Sequence, residues 1–236
     1  MAYLRARKEI DAKQIGLLGH SEGGTVAPRA ALKSRDVAFV VLLAGVGVPL
    51  EELLLRQARD IALVMGANEE AVAKNAALQR DVFRIVRAQN DAAAVEEKLR
   101  KLFREQIAGF TGQQRTALAL SEAAVEGQIK MVLSPWFREL LLYDPVPTLR
   151  AVKCPVLALN GEKDLQVAAR ENLSAIRQAL MAGGNRNVKT VELPGLNHLF
   201  QTSATGAVAE YGQIEETFNP AAMKLISDWV RQTTAR

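Results

Sequence analysis

Three residues carry the chemistry that this sequence can offer. Ser21 lies in Gly19-His20-Ser21-Glu22-Gly23, a G-x-S-x-G pentad. An apolar run precedes the pentad and a helix-compatible stretch follows it. The serine is therefore expected on a sharp strand-to-helix turn that lifts its hydroxyl clear of the backbone. Side chains two residues to either side are expected to collide there, which assigns a steric need for glycine to both Gly19 and Gly23. The helix that follows points its amides at the hydroxyl. The backbone N–H of Glu22 is the expected donor to a developing oxyanion.

A serine needs a base to act as a nucleophile near neutral pH. The chain has two histidines, His20 and His198. Neighbours at a strand end point to opposite sides, so the His20 ring is not expected to reach the Ser21 hydroxyl. His198 remains, in Leu193-Pro-Gly-Leu-Asn-His198, after an apolar run and a Pro-Gly turn. Loops at the C-terminal ends of parallel strands are where reactive groups gather. A carboxylate must then fix the tautomer of His198. Asp164, in the segment LALNGEKD, is the best placed. Glu162 on the same loop is the runner-up, and Asp144, before a proline, reads as a turn or cap residue.

The elements that would position these groups form an α/β pattern. Ile15–Leu18, Val37–Leu43, Val156–Leu159 and Val188–Leu193 are short apolar runs without alternation, as in parallel strands covered on both faces. Helical patterns separate most of them. Residues 1–49 and 143–236 are expected to form this core. Residues 50–142 contain no strand-like run and are expected to be a helical insertion. Within it, Val82, Ile85 and Val86 recur at helical spacing, as do Val95, Leu99, Leu102, Phe103 and Ile107. Asn68 is a candidate cap. Near the end, Asn219-Pro220 reads as a cap with proline at the first helical position, Leu225, Ile226, Trp229 and Val230 continue as an apolar face, and Trp229 reads as core.

Composition sets outer bounds. The 236 residues are 49% hydrophobic and 24% charged, enough for a sizeable core. The net charge of +4 is spread among interleaved acids and bases, which argues against a nucleic-acid face. The single cysteine, Cys154, sits before a proline at the start of an apolar run and is expected to be a buried structural thiol. No ligand cluster points to a metal, and no cofactor is expected. The most apolar stretch, residues 37–50, is too short and too glycine-broken to span a membrane. The charged start has no signal-peptide pattern, so a cytoplasmic location is expected for the chain as written.

The segments GHSEGG, CPVLALNGEKDLQV, LPGLNHLFQ and EYGQIEET resemble the α/β-hydrolase superfamily. They are most similar to its bacterial carboxylesterases, akin to dienelactone hydrolases and serine peptidase-like esterases. The resemblance covers essentially the whole chain. It implies Ser21 as nucleophile, Asp164 as acid and His198 as base, with the helical insertion as a lid over an acyl pocket. The implied reaction is ester hydrolysis through an acyl-enzyme, and the apolar residues of the insertion suggest a small to medium acyl or aryl ester over a charged substrate. A peptidase or amidase on the same triad is an alternative. Members of the superfamily carry several strands before the nucleophile strand, whereas Ser21 lies twenty residues from Met1. A second oxyanion donor is thus expected to be missing, and the first strand is expected to be an exposed apolar edge. That edge suggests pairing with a second copy, or a truncated module that turns over poorly.

Overall fold

The computed structural model describes residues 1–88 and 91–235. In chain order its elements begin with α1 (Ala2–Arg5), β1 (Leu17–His20), α2 (Gly23–Lys33) and β2 (Val40–Leu43). Six helices follow: α3 (Leu50–Val64), α4 (Glu69–Ala88), α5 (Ala92–Ile107), α6 (Gly112–Ala117), α7 (Glu122–Leu133) and α8 (Pro135–Leu141). The chain then continues through α9 (Pro145–Ala151), β3 (Val156–Gly161), α10 (Ala169–Ala182), β4 (Val188–Leu193) and α11 (Pro220–Thr234), with a 3-10 turn at Val208–Gln213. It divides into two compact units: Met1–Val48 with Asp144–Arg236, and Pro49–Tyr143.

The first unit is an α/β fold around a four-stranded parallel sheet in the order β1-β2-β3-β4. Leu17 pairs with Val40, and Val40 with Val156, which in turn pairs with Val188. The two central strands are buried along their whole length. On one face, Val40, Leu42, Val156 and Ala158 pack with Leu149, Leu173, Ile176 and Leu180 from α9 and α10. On the other, Val41, Leu43, Leu157 and Leu159 are also closed to water. Burial on both faces is why these strands read as unbroken apolar runs.

The edge strands differ from expectation. β1 lies two residues later than the apolar run, because its pairing with β2 extends through Gly19 and His20 to Leu42 and Leu43. It is bonded on one side only, and Leu18 is 56% exposed. β4 keeps its expected bounds but is only half-buried. The α11 stripe is shallower than its sequence suggests. Leu225, Ile226, Trp229 and Val230 are half-buried, and Ala222 alone in this helix is fully enclosed. Trp229 meets Phe39 edge-to-face at 5.8 Å, at the margin of the core rather than inside it. Asn219 caps α11 by accepting from the Ala221 and Ala222 amides, and Pro220 follows as its first residue. Cys154 is half-buried, and burial pushes its thiol up.

The second unit, in its described residues, is six helices with short connections and no strand. Val82 and Val86 of α4, Val95, Leu99 and Phe103 of α5, Ile129 and Val132 of α7, and Phe137 and Leu141 of α8 form its core. Asn68 accepts from the Ala71 amide at 2.9 Å and opens α4. Arg100 ties α5 to α7 by donating to Glu126 as well as to Glu96. Among the described residues, no helix is long and apolar enough to cross a membrane.

Candidate active site

Ser21 follows the last residue of β1 and has φ +53°, a left-handed backbone that non-glycine residues adopt at a cost of about 1–3 kcal/mol. Hydrogen bonds on both sides hold it there. Its N–H donates to Leu43 O of the neighbouring strand at 2.9 Å. Its carbonyl accepts from the Gly24 amide at 2.8 Å. Glu22 stands at the N-cap of α2, and its carbonyl accepts from both the amide and the hydroxyl of Thr25. The expected strand–turn–helix elbow is therefore formed, with the Glu22 N–H at the start of the helix.

The glycine requirement is met differently from expectation. A Cβ on Gly19 would lie 2.0 Å from the Gly23 carbonyl oxygen, so Gly19 is sterically obligatory. A Cβ on Gly23 would meet nothing within 4 Å. The second tight position is Gly24, where a Cβ would stand 2.6 Å from the Cα of Gly45. The crowding comes from the turn after β2 and not from the pentad itself.

Asp164 and His198 are brought together from loops 34 residues apart. His198 Nδ1 lies 2.8 Å from Asp164 Oδ2, and the two side chains are 5% and 0% exposed. The other carboxylate oxygen, Oδ1, accepts from the Gln166 amide at 2.8 Å and the Val167 amide at 2.9 Å. A carboxylate only accepts, so Nδ1 carries the proton and Nε2 keeps the lone pair. Nearby, burial and the charge of Asp164 push the Tyr211 hydroxyl up, against the Gln166 side chain that donates to it.

The runner-up carboxylates do other work. Glu162 accepts from the Gly195 amide at 2.9 Å and so holds the turn ahead of His198. Asp144 is the N-cap of α9, accepting from the Val146 amide. Ser21 is half-buried, and its hydroxyl has no hydrogen bond to His198 or to another described residue. The structure thus joins two of the three predicted groups directly and places the third on its elbow.

Three further residues shape the site, and sequence reasoning did not assign them this role. His20 places Nε2 2.9 Å from the backbone oxygen of His198. A carbonyl only accepts, so Nε2 is the protonated nitrogen of that ring. The two imidazoles lie 4.8 Å apart, centroid to centroid. Asn197, fully buried, accepts from the Leu199 and Gln201 amides and donates to Gln201 Oε1, which fixes the loop around His198. Gly161 ends β3 where a Cβ would sit 2.2 Å from the Leu196 carbonyl, so its lack of a side chain lets the two loops approach. The available signals were Asn before His198, a residue type that bonds its own backbone two residues on, and a glycine at a strand end. Among the described residues, no group of three or more His, Cys, Asp or Glu could hold a metal ion.

A parallel sheet with a strained serine between strand and helix, and a buried carboxylate–histidine pair on later strand-end loops, defines an α/β-hydrolase type of protein. The model of the alpha/beta hydrolase family matches residues 2–211, and the chain belongs to that family. The match does not single out the dienelactone hydrolase-like esterases within it. Among solved structures, the chain is similar to DcsB in complex with its substrate analogue (16% identity, TM-score 0.51), over 100% of this chain and 69% of that one. It also matches esterase PF2001 from Pyrococcus furiosus (14% identity, TM-score 0.43), over 82% of this chain and 50% of the other. Esterase RhEst1 from Rhodococcus sp. ECU1013 is 17% identical with TM-score 0.38, over 93% of this chain and 66% of that one. No curated protein sequence matches the chain.

Proposed function

We propose that this chain is a serine hydrolase acting on neutral carboxylic esters, with Ser21 as nucleophile, His198 as base and Asp164 as acid. The observation that carries the reading is the buried 2.8 Å contact between Asp164 Oδ2 and His198 Nδ1, which leaves the lone pair on Nε2. In the first step, His198 Nε2 takes the Ser21 proton as Oγ bonds to the ester carbonyl carbon. The carbonyl electrons move to oxygen, where the Glu22 N–H donates to them. The tetrahedral species collapses, Nε2 returns the proton to the departing alkoxide, and an acyl-serine remains. Water then repeats the cycle and releases the acid. Asp164 does not take the proton in this scheme. It holds the ring and stabilises the imidazolium.

The place of the helical insertion, residues 50–142, in the chain between β2 and α9 supports its reading as a lid. A fluorophosphonate probe tests the nucleophile. The parent is expected to gain one adduct by intact mass, and Ser21→Ala none. Labelling that survives the substitution, or a folded parent that takes no label, rejects the mechanism.

A second reading has one observation in its favour. β1 is bonded on one side only and exposes Leu18. A module that pairs copies through this strand and turns over poorly would be dimeric and weakly labelled. A monomer by light scattering rejects it.

A further inference from the structure

The helical unit contains a cavity of about 270 Å³ whose lining comes entirely from residues 54–137. Its walls include the rings of Phe83 and Phe137. Four carboxamides face it: Gln57 from α3, Asn75 and Gln79 one turn apart on α4, and Gln128 from α7. No lining residue carries a formal charge. Asn75 is 9% exposed, yet among the described residues neither it nor the three glutamines has a side-chain hydrogen bond partner. Their polar atoms are open to the cavity, so all four can bond a molecule that enters it. One further lining residue, Ala119, is held at φ +51°, one of four non-glycine residues with a left-handed backbone among the described residues. The other three are Ser21, Ala44 and Phe200, in the unit that carries the candidate triad. Backbone strain of this kind gathers at ligand sites.

We infer that this cavity is a binding site for a small uncharged amphipathic molecule, whose polar end is an amide-like donor and acceptor and whose body is apolar. Carboxamides both donate and accept, so they complement a group that does the same. A carboxylate or ammonium would lose its hydration with no opposite charge among the lining residues. The volume lies just below the range of about 300–1,000 Å³ usual for small-molecule pockets, which limits the ligand to a compact one. The inference stands whether or not Ser21 is a nucleophile, since no lining residue belongs to the candidate triad.

The two tryptophans make the test local. Trp136 lies 6.4 Å from Phe137, ring to ring, and Trp229 lies on α11 in the other unit. In the full chain carrying Trp229→Phe and Ser21→Ala, Trp136 emission reports the helical unit and no probe is hydrolysed. The probes are octanamide, octanoate and octylammonium. Octanamide is expected to give a saturable change, with octanoate and octylammonium at least tenfold weaker. Asn75→Leu is expected to weaken octanamide at least tenfold, and Ala58→Phe, which fills the cavity, to abolish the change. If Asn75→Leu does not fold, Gln128→Leu takes its place. Three probes of equal affinity, no saturable change, or unaltered octanamide binding in the folded variants would each overturn the proposal. Loss of fluorophosphonate labelling has no bearing on any of these readouts, so the two proposals fail separately.

Discussion

Replacing Asp164 with asparagine separates the two tasks of this carboxylate. Oδ1 accepts from the Gln166 and Val167 amides, and Oδ2 accepts from His198 Nδ1. Asparagine keeps an acceptor for the amides but sets an NH2 where Oδ2 stood. That NH2 only donates, so it opposes the Nδ1 proton. The ring escapes by moving its proton to Nε2 and accepting at Nδ1. Nε2 then has no lone pair for the Ser21 proton. In the chymotrypsin-type triad this exchange lowers kcat about 10⁴-fold, and the matching Asp164–His198 contact sets the same expected scale for the proposed mechanism. That corresponds to roughly 5.5 kcal/mol of lost transition-state stabilisation. Stability should move far less. A buried charge-assisted hydrogen bond becomes a neutral one, a loss of about 1–2 kcal/mol. For a chain of this size that lowers Tm by only a few degrees, at about 2–4 °C per kcal/mol. The assay is kcat/KM for a neutral p-nitrophenyl ester, with thermal unfolding on the same preparation. Glu162→Gln is the control. It touches only the Gly195 amide and should leave turnover within a few-fold of the parent. A folded Asp164→Asn within tenfold of the parent, or a larger loss at Glu162, would refute the assignment.

Three other outcomes follow from the geometry. His20→Phe keeps a ring but removes the donor to the His198 carbonyl; the unmet carbonyl should cost about 1–3 kcal/mol of stability. Its signature is a lower Tm and a lower kcat with KM unchanged, and an unchanged kcat would remove His20 from the support of His198. Gly19→Ala places a methyl 2.0 Å from the Gly23 oxygen and should abolish the elbow, whereas Gly23→Ala meets open space and should stay folded and active. Equal damage from the two substitutions, by circular dichroism and ester turnover, contradicts that distinction. Glu210 accepts from the Ser203 hydroxyl and from Thr205, which holds its pKa at about 2, below the ordinary carboxylate value of about 4.5. Because its value is depressed on folding, its contribution to the loop is complete above about 4.5 and is lost as the pH falls through about 2. The Thr205 amide shift should titrate with that low midpoint by NMR, and a midpoint near 4.5 would show the loop does not hold the carboxylate.

The parts of the fold that sequence revealed were those whose burial is uniform. β2 and β3 are enclosed on both faces, so their residues are apolar without interruption. β1 was misplaced by two residues because its last two positions are a glycine required by sterics and a histidine required by the His198 loop. The stripe of α11 was visible, but a stripe records which face is apolar and not how deeply it is covered. The candidate triad positions follow by elimination among two histidines and a few strand-end carboxylates. The same elimination set His20 aside, since its partner lies 178 residues away and is a backbone oxygen, which no residue type announces.

That Gly24 and not Gly23 is the crowded position shows how the serine is placed. Ser21 and Ala44 are the residues directly after β1 and β2, and both are left-handed, at φ +53° and +48°. Each still donates its N–H to the next strand, Ser21 to Leu43 and Ala44 to Leu159, both at 2.9 Å. The ladder therefore continues for one residue past each strand while the chain turns away, and those bonds hold conformations that cost about 1–3 kcal/mol each. Two adjacent strands turn sharply at the same level of the sheet, and their exits meet where Gly24 faces Gly45. A side chain at Gly24 would press on the turn after β2 and displace the first turn of α2, carrying the Glu22 N–H with it. The position of the Glu22 N–H, the proposed oxyanion donor, is thus set by the neighbouring strand as much as by the pentad around Ser21. A substitution at Gly45 that forces the two turns apart should therefore lower ester turnover, although Gly45 lies outside the serine motif.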